Sequence, residues 1–169
     1  FRDCVVAGED CVLINPKVSD GDGIWTPGNL GFRSIILRKS DNLVLSRGFH
    51  KFYNFGQQKD LYPDPLQFND WNITEKVDGS LICYSKHNKH EIIRTRGAAS
   101  VEVHETGPEI KNLIHDTNLF DMVPQGITVL MEHTTCNRTV VIKYKEPKLT
   151  LLGVVDNNTG RYFQLSSMP

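Results

Sequence analysis

Glu75-Lys76-Val77-Asp78-Gly79-Ser80 is the stretch whose residue types and spacing best suit covalent chemistry. In extended chain, residues two apart project to one side, so Lys76 and Asp78 pair an amine with a carboxylate, and Gly79 admits close approach of another group. That geometry suits a lysine nucleophile beside a phosphate. A free lysine has a pKa near ~10.4, so only about one in a few thousand is the neutral amine at pH 7, and nearby cations or burial must raise that fraction before attack. The neighbouring arginines, Lys51 or a bound metal ion are candidates for the task. The same residues also read as a polar turn entering a strand, and their meaning depends on what the rest of the chain brings to them.

The elements that would position Lys76 are mostly strands. Short apolar, β-branched runs recur between turn residues: 34–38, 43–47, 81–85, 91–96, 127–132, 139–144, 149–155 and 162–165. Ser40-Asp41-Asn42 reads as a hairpin turn between the first two, and Asn157-Asn158-Thr159-Gly160 as one between the last two. One helix is expected: Pro108 suits a first helical position, and Ile110, Leu113 and Ile114 keep i, i+3, i+4 spacing towards Asn118. Its task would be to cover a sheet. Residues 60–70, with Pro63 and Pro65, read as an irregular loop before Lys76.

Composition bounds the classes. At 169 residues, 39% hydrophobic and 23% charged, the chain has the make-up of one ordinary globular domain. No apolar run approaches the ~20 residues of a membrane helix, and the acidic opening residues do not look like a signal peptide, so a cytoplasmic location (host cytoplasm for a viral protein) and no membrane partner are expected. Cys4, Cys11, Cys83 and Cys136 form no C-x-x-C pair and read as buried or incidental thiols. Net charge is -1, so any nucleic acid must be met by a local basic surface. Arg33, Arg38, Lys39, Arg47, Lys51, Lys76, Arg94, Arg96 and Arg138 lie in strand-like segments that could converge to make one. No G-x-x-x-x-G-K-[ST] phosphate loop is present, Asp20-Gly21-Asp22-Gly23 lacks the later ligands of a calcium loop, and His133 with Cys136 is too small a set for zinc.

Further segments join the Lys76 stretch, and together they resemble the phage-type ATP-dependent RNA ligases of the covalent nucleotidyltransferase superfamily. Residues 75–81 look like the superfamily's K-x-D-G motif. Ser46-Arg47-Gly48-Phe49-His50-Lys51-Phe52-Tyr53-Asn54 resembles the family's S-R-x-x-x-K-F-F-N segment, with Gly31-Phe32-Arg33-Ser34 before it. Residues 130–141 resemble F-E-F-x-x-P-x-N-R-I-V, Arg94-Thr95-Arg96-Gly97 sits where the family has a basic strand end, and residues 151–160 match the next hairpin. The order and spacing agree from about Gly31 to Leu165.

The resemblance implies an α+β fold, mainly antiparallel sheets with few helices around a nucleotide groove, in the manner of an ATP-grasp-like ligase core, spanning residues 1–169. It implies that Lys76 attacks the α-phosphate of ATP, that AMP passes to an RNA 5′-phosphate, and that a 3′-hydroxyl then displaces AMP, with Mg2+ as the metal. By the same resemblance Arg33 and Lys51 face ATP, Glu132 holds the ribose or helps place the metal, and Phe52 or Tyr53 walls the base. Glu75, Asp78 and Gly79 flank the nucleotide, and Arg47, Arg96 and Arg138 contact RNA or phosphate. Structural alternatives stand beside these roles: Arg33 and Arg47 as strand ends, Phe52 as core, and Glu132 as partner of Arg138.

The chain departs from the pattern at His133 and Thr135, which replace an aromatic and a proline, and at Ser34, which replaces a glycine. The family's later E-G-x-V and K-x-K motifs have no counterpart after Leu165, and Lys143-Tyr144-Lys145 comes too early and reads as a strand end, so an incomplete domain is expected. Two competing readings are another lysine nucleotidyltransferase, such as a DNA ligase or capping enzyme, and a non-catalytic nucleic-acid-binding module that retains the fold.

Overall fold

In the computed structural model, the structure describes residues 1–16, 24–54, 56–57, 74–136 and 141–164. Two four-stranded antiparallel sheets make up the architecture, one in the order β1-β2-β3-β4 and the other in the order β6-β5-β7-β8. The first comprises β1 (Arg2–Val6), β2 (Glu9–Ile14), β3 (Ile35–Arg38) and β4 (Val44–Arg47). The second comprises β5 (Ser80–His87), β6 (His90–Thr95), β7 (Ile127–Thr134) and β8 (Lys148–Asp156). Helices α1 (Gly107–His115) and α2 (Leu119–Met122) lie between β6 and β7 in the chain. This is the expected α+β class, mainly antiparallel with few helices. Among the described residues no helix is long and apolar enough to cross a membrane.

Alternation in the second sheet sorts its two faces. Ile82, Tyr84, Ile93, Val129, Met131 and Val154 point one way and share a core with Ile110 and Ile114 of α1, so the helix covers a sheet as its periodicity predicts. The opposite face looks towards the first sheet, where Ile92 of β6 packs with Val6, Cys11, Leu13, Ile36 and Leu45. A period of two forces Arg94, two residues beyond Ile92, onto that same inter-sheet face.

Arg94 is wholly buried there. Its Nε donates to Ser46 Oγ (2.8 Å), Nη1 to Ser34 Oγ (2.7 Å) and Nη2 to the Ser34 carbonyl (2.8 Å). Burying a guanidinium is tolerable only when its N–H groups find acceptors, and these bonds provide them. Ser34 adopts a left-handed φ of 62°, which accounts for glycine at this place in the resembled family. Its hydroxyl in turn donates to the Arg96 carbonyl (2.8 Å), so one seam ties the residue after Arg33 to the strand end that carries Arg96. Further along, Ser85 Oγ donates to the Leu45 carbonyl (2.9 Å), and Asn157, in the turn after β8, joins Leu45 and Thr128.

Some expectations shift. Residues 141–144 form no strand; they leave β7's line to meet the Lys76 segment, as described below. Tyr162 makes only an isolated bridge to Val155. Strands β1 and β2 went unread because their charged openings mask the alternation, although Ala7 and Gly8, with φ of 53° and 79°, make the tight turn that joins them. Cys11 and Cys83 are buried and Cys136 is exposed. The loop read at 60–70, the turn at 20–23 and Arg138 lie outside the described residues.

Candidate nucleotide site

Lys76 stands exposed in the extended run that enters β5, and it lines a cleft of about 610 Å³. Arg33, Phe52, Glu75, Arg96 and Glu132 line the same cleft. Each arrives from a different element: Arg33 just before β3, Phe52 after β4, Arg96 after β6 and Glu132 from β7. The chain thus brings residues as far apart in sequence as Arg33 and Leu152 to one depression.

Glu132 is half-buried on the inter-sheet face, and its Oε1 accepts the Gly79 N–H (3.0 Å). Burial pushes its carboxyl above the usual carboxylate range, opposed by the Gly79 bond and by the charge of Lys76. Gly79 is required by space. A Cβ there would sit 2.1 Å from the His133 carbonyl oxygen, because β5 and β7 pair at Ser80 and His133. The close approach expected of this glycine is therefore made by the neighbouring strand.

Asp78 turns to a different partner. Its Oδ2 accepts the N–H groups of Val141 (2.6 Å) and Ile142 (3.0 Å), and its own N–H donates to the Tyr144 hydroxyl (3.0 Å). The bonds from Ile142 and Val141 hold its carboxyl below the ordinary value. Asp78 and Gly79 do not line the cleft; they join the Lys76 segment to the 141–144 segment and to Glu132.

The arginines divide. Arg33 lies over the Phe52 ring at 5.2 Å, and burial together with the like charge of Arg96 favours loss of its proton. Two guanidinium groups facing one cleft make a place where an anion gains from both. Arg47 does not line the cleft. Its Nε and Nη2 donate to the Asn157 carbonyl (3.0 and 2.9 Å) and its Nη1 to the Gly31 carbonyl (3.0 Å), a brace between the turn after β8 and the segment before β3. Lys51 lies over the Tyr53 ring at 4.3 Å, and neither lines the cleft. Phe52 meets Phe49 edge-on at 6.3 Å, and Phe49 stacks on Tyr162 at 5.8 Å, so the aromatic wall is built in depth.

Several cleft residues carry no motif signal: His104, Thr106 and Ile110 also line it. Glu109, in the first turn of α1, escapes notice likewise. It holds the buried His133 Nε2 (2.8 Å) and accepts from Thr135 Oγ1 (3.4 Å), so both polar replacements in the third motif share one partner. Two polar side chains where aromatic and proline are usual did signal that a partner must exist.

Among the described residues no group of three or more His, Cys, Asp or Glu converges as a metal cage. Glu132 offers the one half-buried carboxylate of the cleft, which suits a magnesium ion held by few protein ligands and completed by substrate phosphates and water.

A family model described as RNA ligase matches residues 31–169. The chain is 25% identical to a provisionally named RNA ligase of Thermovibrio ammonificans over 163 residues, covering 94% of this chain and 42% of the relative. It is 28% identical to RNA ligase 1 of bacteriophage TS2126 (92% and 42% covered). It is also 28% identical to a provisionally named bifunctional polynucleotide kinase/RNA ligase of Autographa californica nuclear polyhedrosis virus (81% and 23% covered). The chain thus spans less than half the length of these relatives.

Proposed function

Since the chain belongs to the RNA ligase family, we propose that it supplies the AMP-accepting centre of an ATP-dependent RNA ligase, with Lys76 as nucleophile. The observation that supports this is the meeting of Lys76, Arg33, Arg96 and half-buried Glu132 around one cleft.

In the first step the neutral Lys76 Nζ attacks the α-phosphorus of ATP. A P–N bond forms, the bond to the bridging oxygen breaks with its electron pair leaving on pyrophosphate, and the amine proton passes to solvent. Arg33 and Arg96 face the polyphosphate and stabilise the charge that builds as pyrophosphate departs. Glu132, with one oxygen fixed by Gly79, accepts from a ribose hydroxyl, and Phe52 backs the base. A magnesium ion, held through Glu132 and the phosphates, would neutralise phosphate charge. In the second step an oxygen of an RNA 5′-phosphate attacks the same phosphorus and the P–N bond breaks, with the lysine recovering a proton. In the third, a 3′-hydroxyl attacks the activated 5′-phosphorus, a phosphodiester P–O bond forms, AMP leaves with the electron pair of the broken bond, and the hydroxyl proton passes to solvent.

Intact mass after incubation with ATP and Mg2+ tests the first step, using this chain and any longer form encoded with it. The expected result is a gain of one AMP that Lys76→Ala abolishes. A protein that binds ATP and stays unmodified, or a gain that survives in Lys76→Ala, overturns the reading.

A further inference from the structure

We propose that residues 141–148 form a docking lip for the 5′-phosphorylated RNA strand, with Lys143 and Lys145 contacting its phosphates beside the Lys76 cleft. The inference rests on the reading of Lys76 as AMP carrier.

A chain of net charge -1 must meet RNA with a local basic surface. Among the described residues, four of the candidate cations are engaged elsewhere. Arg38 pairs with Asp41 (2.6 Å) and Glu9 (3.2 Å), and Lys39 pairs with Asp3 (2.7 Å). Arg94 is buried in the seam, and Arg47 is bonded to carbonyls. Arg33, Arg96 and Lys76 remain in the cleft, a set suited to the phosphates of one nucleotide. The strand whose 5′-phosphate enters that cleft must leave it across a neighbouring surface.

Residues 141–148 read Val-Ile-Lys-Tyr-Lys-Glu-Pro-Lys, three lysines to one glutamate. Lys143, Lys145 and Lys148 are exposed, and none has an ion-pair partner among the described residues. The segment is anchored to the nucleophile strand: Asp78, two residues from Lys76, receives the N–H groups of Val141 and Ile142, and its N–H reaches the Tyr144 hydroxyl. Lys143 and Lys145 therefore flank the residue that touches the Lys76 strand, yet neither lines the cleft. Val141 (79% exposed) and Ile142 (46%) add an apolar face for ribose and base. Cations for phosphates beside apolar surface for sugars, continuous with the reactive lysine, is what a nucleic-acid strand requires.

The test compares wild type with Lys143→Ala/Lys145→Ala, and uses Lys143→Arg/Lys145→Arg to retain charge. AMP transfer to Lys76 is read by intact mass. Binding of a 5′-phosphorylated single-stranded oligoribonucleotide is read by fluorescence anisotropy across a salt series. The alanine pair should keep the AMP gain. Its binding should weaken by about 25-fold at 0.1 M salt, and its salt slope should fall by about 1.4, because each single-strand phosphate contact contributes about 0.7. The arginine pair should bind as wild type does. Unchanged affinity and slope in the alanine pair, or no RNA binding by wild type, overturns the docking lip even where AMP labelling succeeds. Loss of binding in the alanine pair without AMP labelling of wild type upholds the lip and removes the ligase reading instead.

Discussion

Replacing Gly79 with alanine tests how tightly the Lys76 segment is locked to Glu132. The added Cβ would lie 2.1 Å from the His133 carbonyl oxygen, 2.9 Å from its carbonyl carbon and 3.3 Å from Glu132 Cγ. Two of the three atoms are backbone, so no side-chain rotation relieves the clash; β5 and β7 must separate where Ser80 pairs with His133. Overpacking of this kind costs about 1–3 kcal/mol, and weakening the Gly79 N–H bond to a carboxylate adds about 1–2 kcal/mol. A total near 3 kcal/mol lowers Tm by roughly 6–12 °C in a domain of this size. Gly97→Ala is the control, since that Cβ would meet only Asn15 Nδ2 at 3.7 Å. Calorimetric melting of both variants reads the effect, and intact-mass labelling with ATP should show Gly79→Ala impaired at equal folded fraction. A Gly79→Ala protein that melts within a degree of wild type would refute the strand lock.

Glu132 and Arg47 yield two further expectations. Glu132→Gln removes a half-buried charge while leaving an oxygen for the Gly79 N–H, so at pH 7 it should melt no lower than wild type and yet lose AMP labelling. Because the folded Glu132 carboxyl is raised above its ordinary 4.5, the folded state holds the proton more tightly. Wild type should therefore gain on the variant as pH falls through the folded value towards 4.5, and melting curves that keep a constant gap from pH 7 to pH 4 would contradict this. Arg47→Met removes three donor bonds to carbonyls and should cost about 2–3 kcal/mol of stability. Its RNA affinity should stay within about twofold of wild type; weakened RNA binding with unchanged Tm would assign Arg47 to the RNA surface instead.

Much of the strand pattern was legible because β-branched runs between turn residues leave a period-two trace that does not depend on tertiary contacts. The hairpin at Ser40-Asp41-Asn42 and the helix after Pro108 were legible for the same reason: turn chemistry and helical spacing are local. Residues 141–144 were not, since their β-branched composition argues for a strand while the Asp78 carboxylate and the Tyr144 hydroxyl draw them to the Lys76 segment. Tertiary hydrogen bonds overrode propensity there. Strands β1 and β2, with charged openings, depend on pairing with each other and with β3 for their existence.

The site divides along the same line. Local residue types marked the Lys76 stretch, but it was the resemblance to the RNA ligases that picked out Arg33, Phe52, Arg96 and Glu132, and it picked out Lys51, Tyr53, Arg47 and Arg138 on the same footing. Only the tertiary structure decided that Arg94 and Arg47 serve the seam and the brace, since their guanidinium groups look like those of Arg33 and Arg96 until burial and acceptors are known. It likewise decided that Gly79 makes room for β7, that Asp78 anchors residues 141–144, and that Glu109 partners His133 and Thr135. A side chain's chemistry is written in its type, but its partner is set by which strands and helices come to lie within about 3 Å of it, and that is a property of packing.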